Sequence, residues 1–239
     1  MQLPNFKFEK RYWRKGLKTV VGADEVGRGA LAGPLVAATV IFEQKSTINH
    51  AVQGQAFKRL VNRADSRVVI NDSKKLSAKQ RGKAEKWIKK NCLAWGIGVV
   101  SVSEINRLGM AKASKMVFRR AIVQCNLKLV LQGLTLQIQF LLIDAFYVPY
   151  TRGIKRKNQL AVVRGDEKSF SIAAASIIAK VYRDSLMWDM SKKHKNYKWD
   201  QNKGYGTREH QEAIQKYGIT RLHRKMFVRK LLEQESERA

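Results

Sequence analysis

The chain has 239 residues, 44% of them hydrophobic, and carries 47 Lys and Arg against 19 Asp and Glu, a formal net charge of +28. This size permits one large domain or two small ones with a full core. No apolar run approaches the roughly 18 residues of a membrane span, and the N-terminal stretch lacks the apolar core of a secretory signal. Cys92 and Cys125 form neither a C-x-x-C pair nor a disulfide framework. We therefore expect a cytoplasmic protein with no membrane contact.

The positive charge is the strongest global feature of the composition. Such an excess attracts phosphate backbones, which favours nucleic acid as the partner. A merely solubilising surface is the alternative interpretation. Binding to a membrane surface is less favoured, because the sequence contains no basic amphipathic helix with a broad aromatic and leucine face.

The predicted strands are short apolar runs separated by turn residues. They cover 18–24, 34–42, 93–102, 136–144 and 159–164. Three early strands in succession predict an antiparallel meander, whereas the later alternation of strand and helix demands parallel additions. The predicted fold class is therefore α/β, a mixed five-stranded sheet flanked by helices.

The predicted helices are recognised by their capping residues and their apolar spacing. They cover 52–61, 78–90, 104–108, 111–125, 169–193 and 208–217. Ser77 and Gln80 predict a capping box at the start of one helix, and Ser103 is predicted to open the next. Thr207 and Gly218 are predicted to bound the last.

These elements suggest a division of the chain. We expect residues 1–167 to form the catalytic core, with 43–70 as a long, polar surface connection. Residues 168–239 are expected to form a basic helical region packed on that core, so that the two parts make one functional domain.

Acidic residues are rare, and several of them stand where apolar strands end. Asp24 and Glu25 end the first strand, Asp144 ends "FLLID", and Asp166 follows the strand in "VVRGD". If these strands share one sheet, their carboxyl ends are where such a fold builds a site. Each acid could instead pair with a nearby Lys or Arg, but the group of four favours a metal site.

Carboxylates gathered at one edge repel one another and require a cation. Mg²⁺ or Mn²⁺ fits best, because hard ions prefer oxygen ligands. The four histidines show no zinc-binding spacing. Two such ions about 3.5–4 Å apart can activate a water and stabilise the leaving oxygen of a phosphodiester.

The glycine-bracketed arginine, Gly27-Arg28-Gly29, directly follows the paired acids. A tight turn between two strands would explain the glycines by itself. Glycine also lets a backbone approach a ligand closely, so this loop could hydrogen-bond a sugar hydroxyl while Arg28 holds a phosphate.

Five motifs in the same order make the sequence resemble the ribonuclease HII (type 2 ribonuclease H) family. They are "DEVGRG" (24–29), "NDSKKLS" (71–77), "LLIDA" (141–145), "VVRGDEKSFSIAAASIIAKVYRD" (162–184) and "NKGYGTREH" (202–210). The resemblance extends over about residues 18–227. It implies a ribonuclease H-like fold with a helical C-terminal region. It also implies an endonuclease that cuts the RNA strand of RNA–DNA hybrids and incises 5′ to single ribonucleotides in duplex DNA, leaving 3′-hydroxyl and 5′-phosphate ends.

The resemblance also implies roles for particular residues. The family's four acids fall on Asp24, Glu25, Asp144 and Asp166, which would bind two Mg²⁺ or Mn²⁺ ions. The loop at 27–29 would read the ribonucleotide 2′-hydroxyl, the group that separates RNA from DNA. Tyr205 would stack on the neighbouring deoxyribose.

Further residues of these motifs receive less specific roles. Lys74 and Lys75 stand beside the start of a capped helix, and we expect them to contact phosphate. Asp184 either assists the metal site or pairs with Lys180 four residues before it, and the pairing is favoured. His210 is expected to be structural.

Two rival interpretations remain at this stage. Ribonuclease HIII would require a substantial N-terminal substrate-binding domain, and only 23 residues precede Asp24. A non-catalytic nucleic-acid-binding protein would gain nothing from four carboxylates facing phosphates. We expect a monomer whose partners are RNA–DNA hybrids and ribonucleotide-containing duplex DNA, with the basic C-terminal region holding the duplex backbone.

Overall fold

The computed structural model describes residues 3–44, 68–134, 136–144, 146–149, 151 and 153–236. The helix predicted at 52–61 and most of the 43–70 connection lie outside the described residues, as does Ala145. Within those ranges no helix is both long and apolar enough to cross a membrane.

The central sheet has five strands in the order β3-β2-β1-β4-β5. Their bounds are β1 Val20–Val26, β2 Leu35–Ile41, β3 Ala94–Val100, β4 Phe140–Asp144 and β5 Gln159–Val162. The pairs β1–β2 and β2–β3 are antiparallel, whereas β1–β4 and β4–β5 are parallel. The predicted mixed sheet, with its early meander and later parallel additions, is confirmed.

Helices flank this sheet and fill the C-terminal region. Their bounds are α1 Lys7–Trp13, α2 Ala78–Asn91, α3 Val102–Leu108, α4 Met110–Leu131, α5 Gly165–Lys168, α6 Phe170–Lys193, α7 Trp199–Asn202, α8 Arg208–Tyr217 and α9 Lys225–Ser236. The capping box of Ser77 and Gln80 is confirmed at the start of α2. The assignment of Ser103 was wrong, because Ser101 forms the capping box with Glu104 and α3 begins two residues earlier.

The two long helices cover opposite faces of the sheet. α6 packs on one face, where Ile172 and Ala175 join a core cluster with Val36 and Leu142. α4 packs on the other face, in a second cluster of buried apolar residues. The predicted boundary between residues 167 and 168 stays a prediction, but α6 itself forms one layer of the core.

The remaining C-terminal helices build a third cluster beyond the sheet. Trp199 and Ile214 pack there against Met187 near the end of α6 and against Leu31 and Ala32 of the loop after β1. This cluster therefore joins the basic C-terminal region directly to the loop that follows the paired acids.

One glycine sets how closely α6 approaches β1. A Cβ atom on Gly22 would lie 2.2 Å from the backbone carbon of Ser171. Because backbone atoms cannot move aside cheaply, Gly22→Ala should lower the free energy of unfolding by about 2 kcal/mol or more, measured by urea denaturation.

Gly82 provides the matched control, since it lies inside α2 and a Cβ atom added to it would meet no heavy atom within 4 Å. Gly82→Ala should stabilise the protein by up to about 1 kcal/mol. Equal effects of the two substitutions would contradict the close approach of α6 to β1.

Candidate active site

The sheet brings the four predicted acids to one edge. Asp24 and Glu25 lie near the end of β1, and Asp144 is the last residue of β4. Ala23 pairs with Ile143, so Asp24 and Asp144 follow at adjacent strand ends. Asp166 stands in α5, just beyond β5.

These carboxyl groups interact electrostatically. Burial raises the pKa of Asp24 well above its ordinary value, and the negative charges of Glu25, Asp144 and Asp166 raise it further. Burial also raises the pKa of Glu25 to about 7, against the opposing effect of Arg28. The pKa of Asp166 is raised by burial and by neighbouring acids. Ionisation of these acids is therefore disfavoured in the protein alone, and a bound cation would favour it.

Neighbouring protein groups offset part of the repulsion between these carboxylates. Lys74 Nζ lies 3.6 Å from Asp166 Oδ2, and Arg28 Nη1 lies 3.7 Å from Glu25 Oε1. The backbone N–H of Gly165 donates to Asp144 Oδ1 over 2.8 Å. Pairing with Lys or Arg, the alternative considered from sequence, is thus present for Glu25 and Asp166.

The donor set suits a hard divalent ion, although the side chains have not converged on one. Across the described ranges, no three His, Cys, Asp or Glu residues stand in a group ready to hold a metal. Carboxylate oxygens are nevertheless the ligands that Mg²⁺ and Mn²⁺ prefer, and the raised pKa of Asp24 shows what a cation would relieve.

Asp72 is an acid of this region that sequence reasoning missed. It is buried, it caps the short turn at Ser73–Lys75 by accepting from the backbone N–H of Lys74, and its charge raises the pKa of Asp166. Its position in "NDSKK" was visible, but a single aspartate before a serine indicates only a turn.

The loop after β1 requires glycine at one position. Gly27 has φ +95°, and a Cβ atom there would lie 2.1 Å from Arg183 Nε. Arg224 Nη1 donates to the carbonyl oxygens of Gly27 and Arg28 over 2.6 and 3.0 Å. At Gly29 no heavy atom lies within 4 Å of a Cβ position, so the loop is open on that side.

Arg183 and Arg224 are functional candidates that sequence reasoning did not single out. Both are fully buried, and neither forms an ion pair with a described residue. Their N–H groups donate instead to backbone carbonyls of the 27–34 loop, and Arg183 also donates to Lys203. Burial lowers the pKa of Arg224 to about 9, with Arg183 adding to the effect.

Arg183 and backbone hydrogen bonds connect the 27–34 loop to the "KGYGT" turn. The Arg183 guanidinium carbon lies 5.3 Å from the centre of the Tyr205 ring. The Gly204 carbonyl accepts the N–H groups of Leu31 and Ala32 over 2.8 and 3.1 Å. The two motifs assigned to sugar recognition are therefore parts of one structure.

A buried hydrogen-bond chain fixes the backbone at Tyr205. The N–H groups of Thr220 and Trp199 can only donate, so His223 Nδ1 and His210 Nε2 are acceptors. Neutral His223 then donates from Nε2 to His210 Nε2 over 3.3 Å, and His210 donates from Nδ1 to the Tyr205 carbonyl over 2.8 Å. The structural role expected for His210 fits these contacts.

The lysines of "NDSKK" differ in their contacts. Lys74 has an 80% exposed side chain beside Asp166, whereas Lys75 Nζ lies 2.8 Å from Glu167 Oε1. Asp184 accepts from Lys180 over 2.7 Å and lies 3.4 Å from Arg81, so the pairing interpretation of this acid agrees with the structure.

Similarity to solved structures establishes the class of fold. The chain superposes on the ribonuclease H2 of Pyrococcus horikoshii with a TM-score of 0.62 at 23% identity, covering 90% of this chain and 98% of that one. For Bst-RNase HIII in complex with Mn²⁺ the TM-score is 0.66 at 18% identity, covering 91% and 70%. The predicted ribonuclease H-like fold is confirmed.

Sequence similarity is more specific. The family model described as Ribonuclease HII matches residues 21–231. A Ribonuclease HII of Caldanaerobacter subterraneus subsp. tengcongensis is 39% identical over 226 residues, which span 95% of this chain and 80% of that protein. The chain therefore belongs to the ribonuclease HII family and is an endoribonuclease.

The buried histidine chain predicts a pH dependence of stability. Burial, with smaller effects of His210 and His194, lowers the pKa of His223 from 6.5 to about 4. Below pH 6.5 the unfolded state binds the proton more readily, so His223 should remove on the order of 3 kcal/mol of stability as the pH falls to about 4. Protonation of His223 would place a hydrogen on Nδ1, directly opposite the backbone N–H of Thr220 that Nδ1 otherwise accepts.

Urea denaturation of the parent protein and His223→Gln across this pH range measures the effect. Protonation of Asp24 and Glu25, whose pKa values are raised, acts in the opposite direction in both proteins, so the difference between them isolates the histidine. Parallel pH profiles would contradict the assigned hydrogen-bond chain.

Proposed function

We propose that the protein hydrolyses the RNA strand of RNA–DNA hybrids and incises 5′ to single ribonucleotides embedded in duplex DNA, leaving 3′-hydroxyl and 5′-phosphate ends. Its cellular role would be ribonucleotide removal in DNA replication and repair, in the cytoplasm and as a monomer. One observation carries this proposal. Asp24 and Glu25, whose charges repel each other, are followed directly by the loop whose carbonyls accept from Arg183 and Arg224. The residues proposed to cut the phosphodiester are therefore held at a fixed position relative to those proposed to recognise the sugar.

Asp24, Glu25, Asp144 and Asp166 are proposed to hold two Mg²⁺ or Mn²⁺ ions. Their mutual repulsion and their all-oxygen donor set support this assignment, and the Bst-RNase HIII relative was solved in complex with Mn²⁺. Bound ions would supply an activated water and stabilise the leaving oxygen.

The cations around the acids are proposed to contact the substrate phosphates. Lys74 and Arg28 have side chains that are 80% and 54% exposed, so they can turn from Asp166 and Glu25 towards a phosphate. Lys75 is bound to Glu167, next to Asp166 in α5, so it also stabilises the turn that carries a proposed metal ligand.

Sugar recognition is assigned to Gly27, Arg28 and Gly29. The carbonyls of Gly27 and Arg28 are held by Arg224, and the open side of Gly29 leaves room for a ribose. A carbonyl oxygen has two lone pairs, so that of Arg28 can still accept from a 2′-hydroxyl, whereas that of Gly27 also accepts the backbone N–H of Ala30 over 3.3 Å. Tyr205, held over Arg183, would stack on the adjacent deoxyribose.

Nicking of a DNA duplex that contains one ribonucleotide tests the proposal, with an RNA–DNA hybrid as the second substrate. The parent protein should cut both with Mg²⁺ or Mn²⁺. Asp144→Asn should lower the nicking rate on the order of 10³-fold while duplex binding is retained, because only metal binding is weakened.

Asp189→Asn is the matched control, since Asp189 is an exposed acid whose ion pair among the described residues is with the surface Lys192. This variant should nick at the parent rate. Binding without cutting by the parent protein would favour a non-catalytic role, and unchanged turnover in Asp144→Asn would remove Asp144 from the site.

The proposed role of Tyr205 gives a separate prediction. Tyr205→Ala should reduce cutting at a ribonucleotide–deoxyribonucleotide junction by about 10–100-fold, since base or sugar stacking contributes about 1–3 kcal/mol, but affinity for plain duplex should change little. Tyr217→Ala, at a half-exposed tyrosine on α8, is the control. Equal losses in junction cutting and plain-duplex affinity would make Tyr205 a packing residue.

A further inference from the structure

The N-terminal helix α1 is anchored to the protein along one side. Phe6 lies 4.5 Å from Phe170 between ring centres, and Tyr12 stacks on Phe140 at 3.7 Å. The fully buried Glu9 accepts from the Ser169 hydroxyl over 2.6 Å and from the Ser171 N–H over 2.9 Å. α1 is thus attached to the start of α6, directly after the turn that carries Asp166.

The opposite side of α1 is exposed and positively charged. Lys7, Arg11 and Arg14 are exposed, and together with Lys168 they line a groove of about 490 Å³ between α1 and α5. In the described part of the chain, none of these four cations forms an ion pair. The side-chain Nζ of Lys168 donates to the backbone carbonyl of Val163 over 2.7 Å.

One acid also lines this groove, but it does not neutralise the cations. Glu167 is already bound by Lys75 at 2.8 Å and by Arg164 at 2.6 Å, and these contacts lower its pKa to about 2. The groove therefore keeps its positive charge.

The groove also lies close to the proposed active site along the chain. Lys168 is two residues from Asp166, so their Cα atoms lie within about 7 Å of each other. Positions 7, 11 and 14 are on one helix face, and the first and last are about 10 Å apart along the axis. Each DNA strand carries one phosphate per about 3.4 Å of duplex axis, so a helix lying parallel to that axis would span about three phosphates of one strand.

We propose that the surface formed by Lys7, Arg11, Arg14 and Lys168 binds the phosphate backbone of the substrate duplex, flanking the site of cleavage. The inference rests on the proposed function for the identity of the duplex. Three of its four cations, Lys7, Arg11 and Arg14, belong to the N-terminal helix or its C-terminal end and so lie outside the basic C-terminal region of residues 168–239. Because α1 is anchored to the elements that carry Asp166, contacts there position the duplex relative to the acids.

The test is the salt dependence of binding to a plain DNA duplex, without ribonucleotide or metal, so that it does not depend on cleavage. R11Q/R14Q should lower the slope of log K against log salt concentration by about 1.8 units, since each neutralised phosphate contributes about 0.9. R11K/R14K keeps the charge and should restore the slope.

K86Q/K90Q is the matched control, since it removes two exposed lysines at the far end of α2. Its slope should be unchanged. An equal slope for R11Q/R14Q and this control would overturn the proposal. If thermal unfolding shows that R11Q/R14Q does not fold, Lys7→Gln repeats the test with an expected change of about 0.9 units, and no change there is equally decisive.

The two proposals fail in different ways. Loss of the proposed function would appear as a parent protein that does not nick, whatever the salt slope of plain-duplex binding. Failure of the α1 surface would leave nicking intact and R11Q/R14Q indistinguishable from K86Q/K90Q in binding.

Discussion

The burial of two guanidinium groups, those of Arg183 and Arg224, is the constraint on which most of the site depends. A buried charge without a compensating partner costs several kcal/mol, and in the described structure neither arginine has a carboxylate partner. The carbonyls of the 27–34 loop turn inwards to accept their hydrogen bonds. That requirement shapes the loop after the acids, excludes a side chain at Gly27, and places the Tyr205 ring over Arg183.

The four acids are likewise charged groups that are buried or partly buried, but their charge is negative. Burial and the charges of neighbouring acids raise the pKa values of Asp24, Glu25 and Asp166, and Lys74 and Arg28 offset only part of that effect. The two exposed cations are long and flexible, so a divalent ion can replace them at little cost in packing. The 27–34 loop is thus fixed by buried hydrogen bonds, whereas Lys74 and Arg28, the cations beside the acids, have exposed side chains.

Local signals were predictable where a few neighbouring residues decide the structure. The Ser77–Gln80 capping box is an example, since both hydrogen bonds form within four residues. Ser103 was mistaken for a cap because Ser101, two residues earlier, offers the same chemistry, and the end of β3 at Val100 decides between them. α1 was not predicted, because its sequence is rich in charged residues and one of the residues on its buried side is itself an acid. That side is formed by Phe6, Glu9 and Tyr12.

The sequence by itself determined the family, the mixed sheet and the placement of acids at strand ends, because strand periodicity and ordered motifs are properties of the chain. Only the tertiary structure decided which distant groups meet. Arg224 contacts Gly27 across a sequence separation of 197 residues, and Glu9 lies 160 residues from Ser169. An arginine in a chain with 47 Lys and Arg carries no local sign that it will be buried, because burial depends on carbonyl groups supplied by other segments after they have folded.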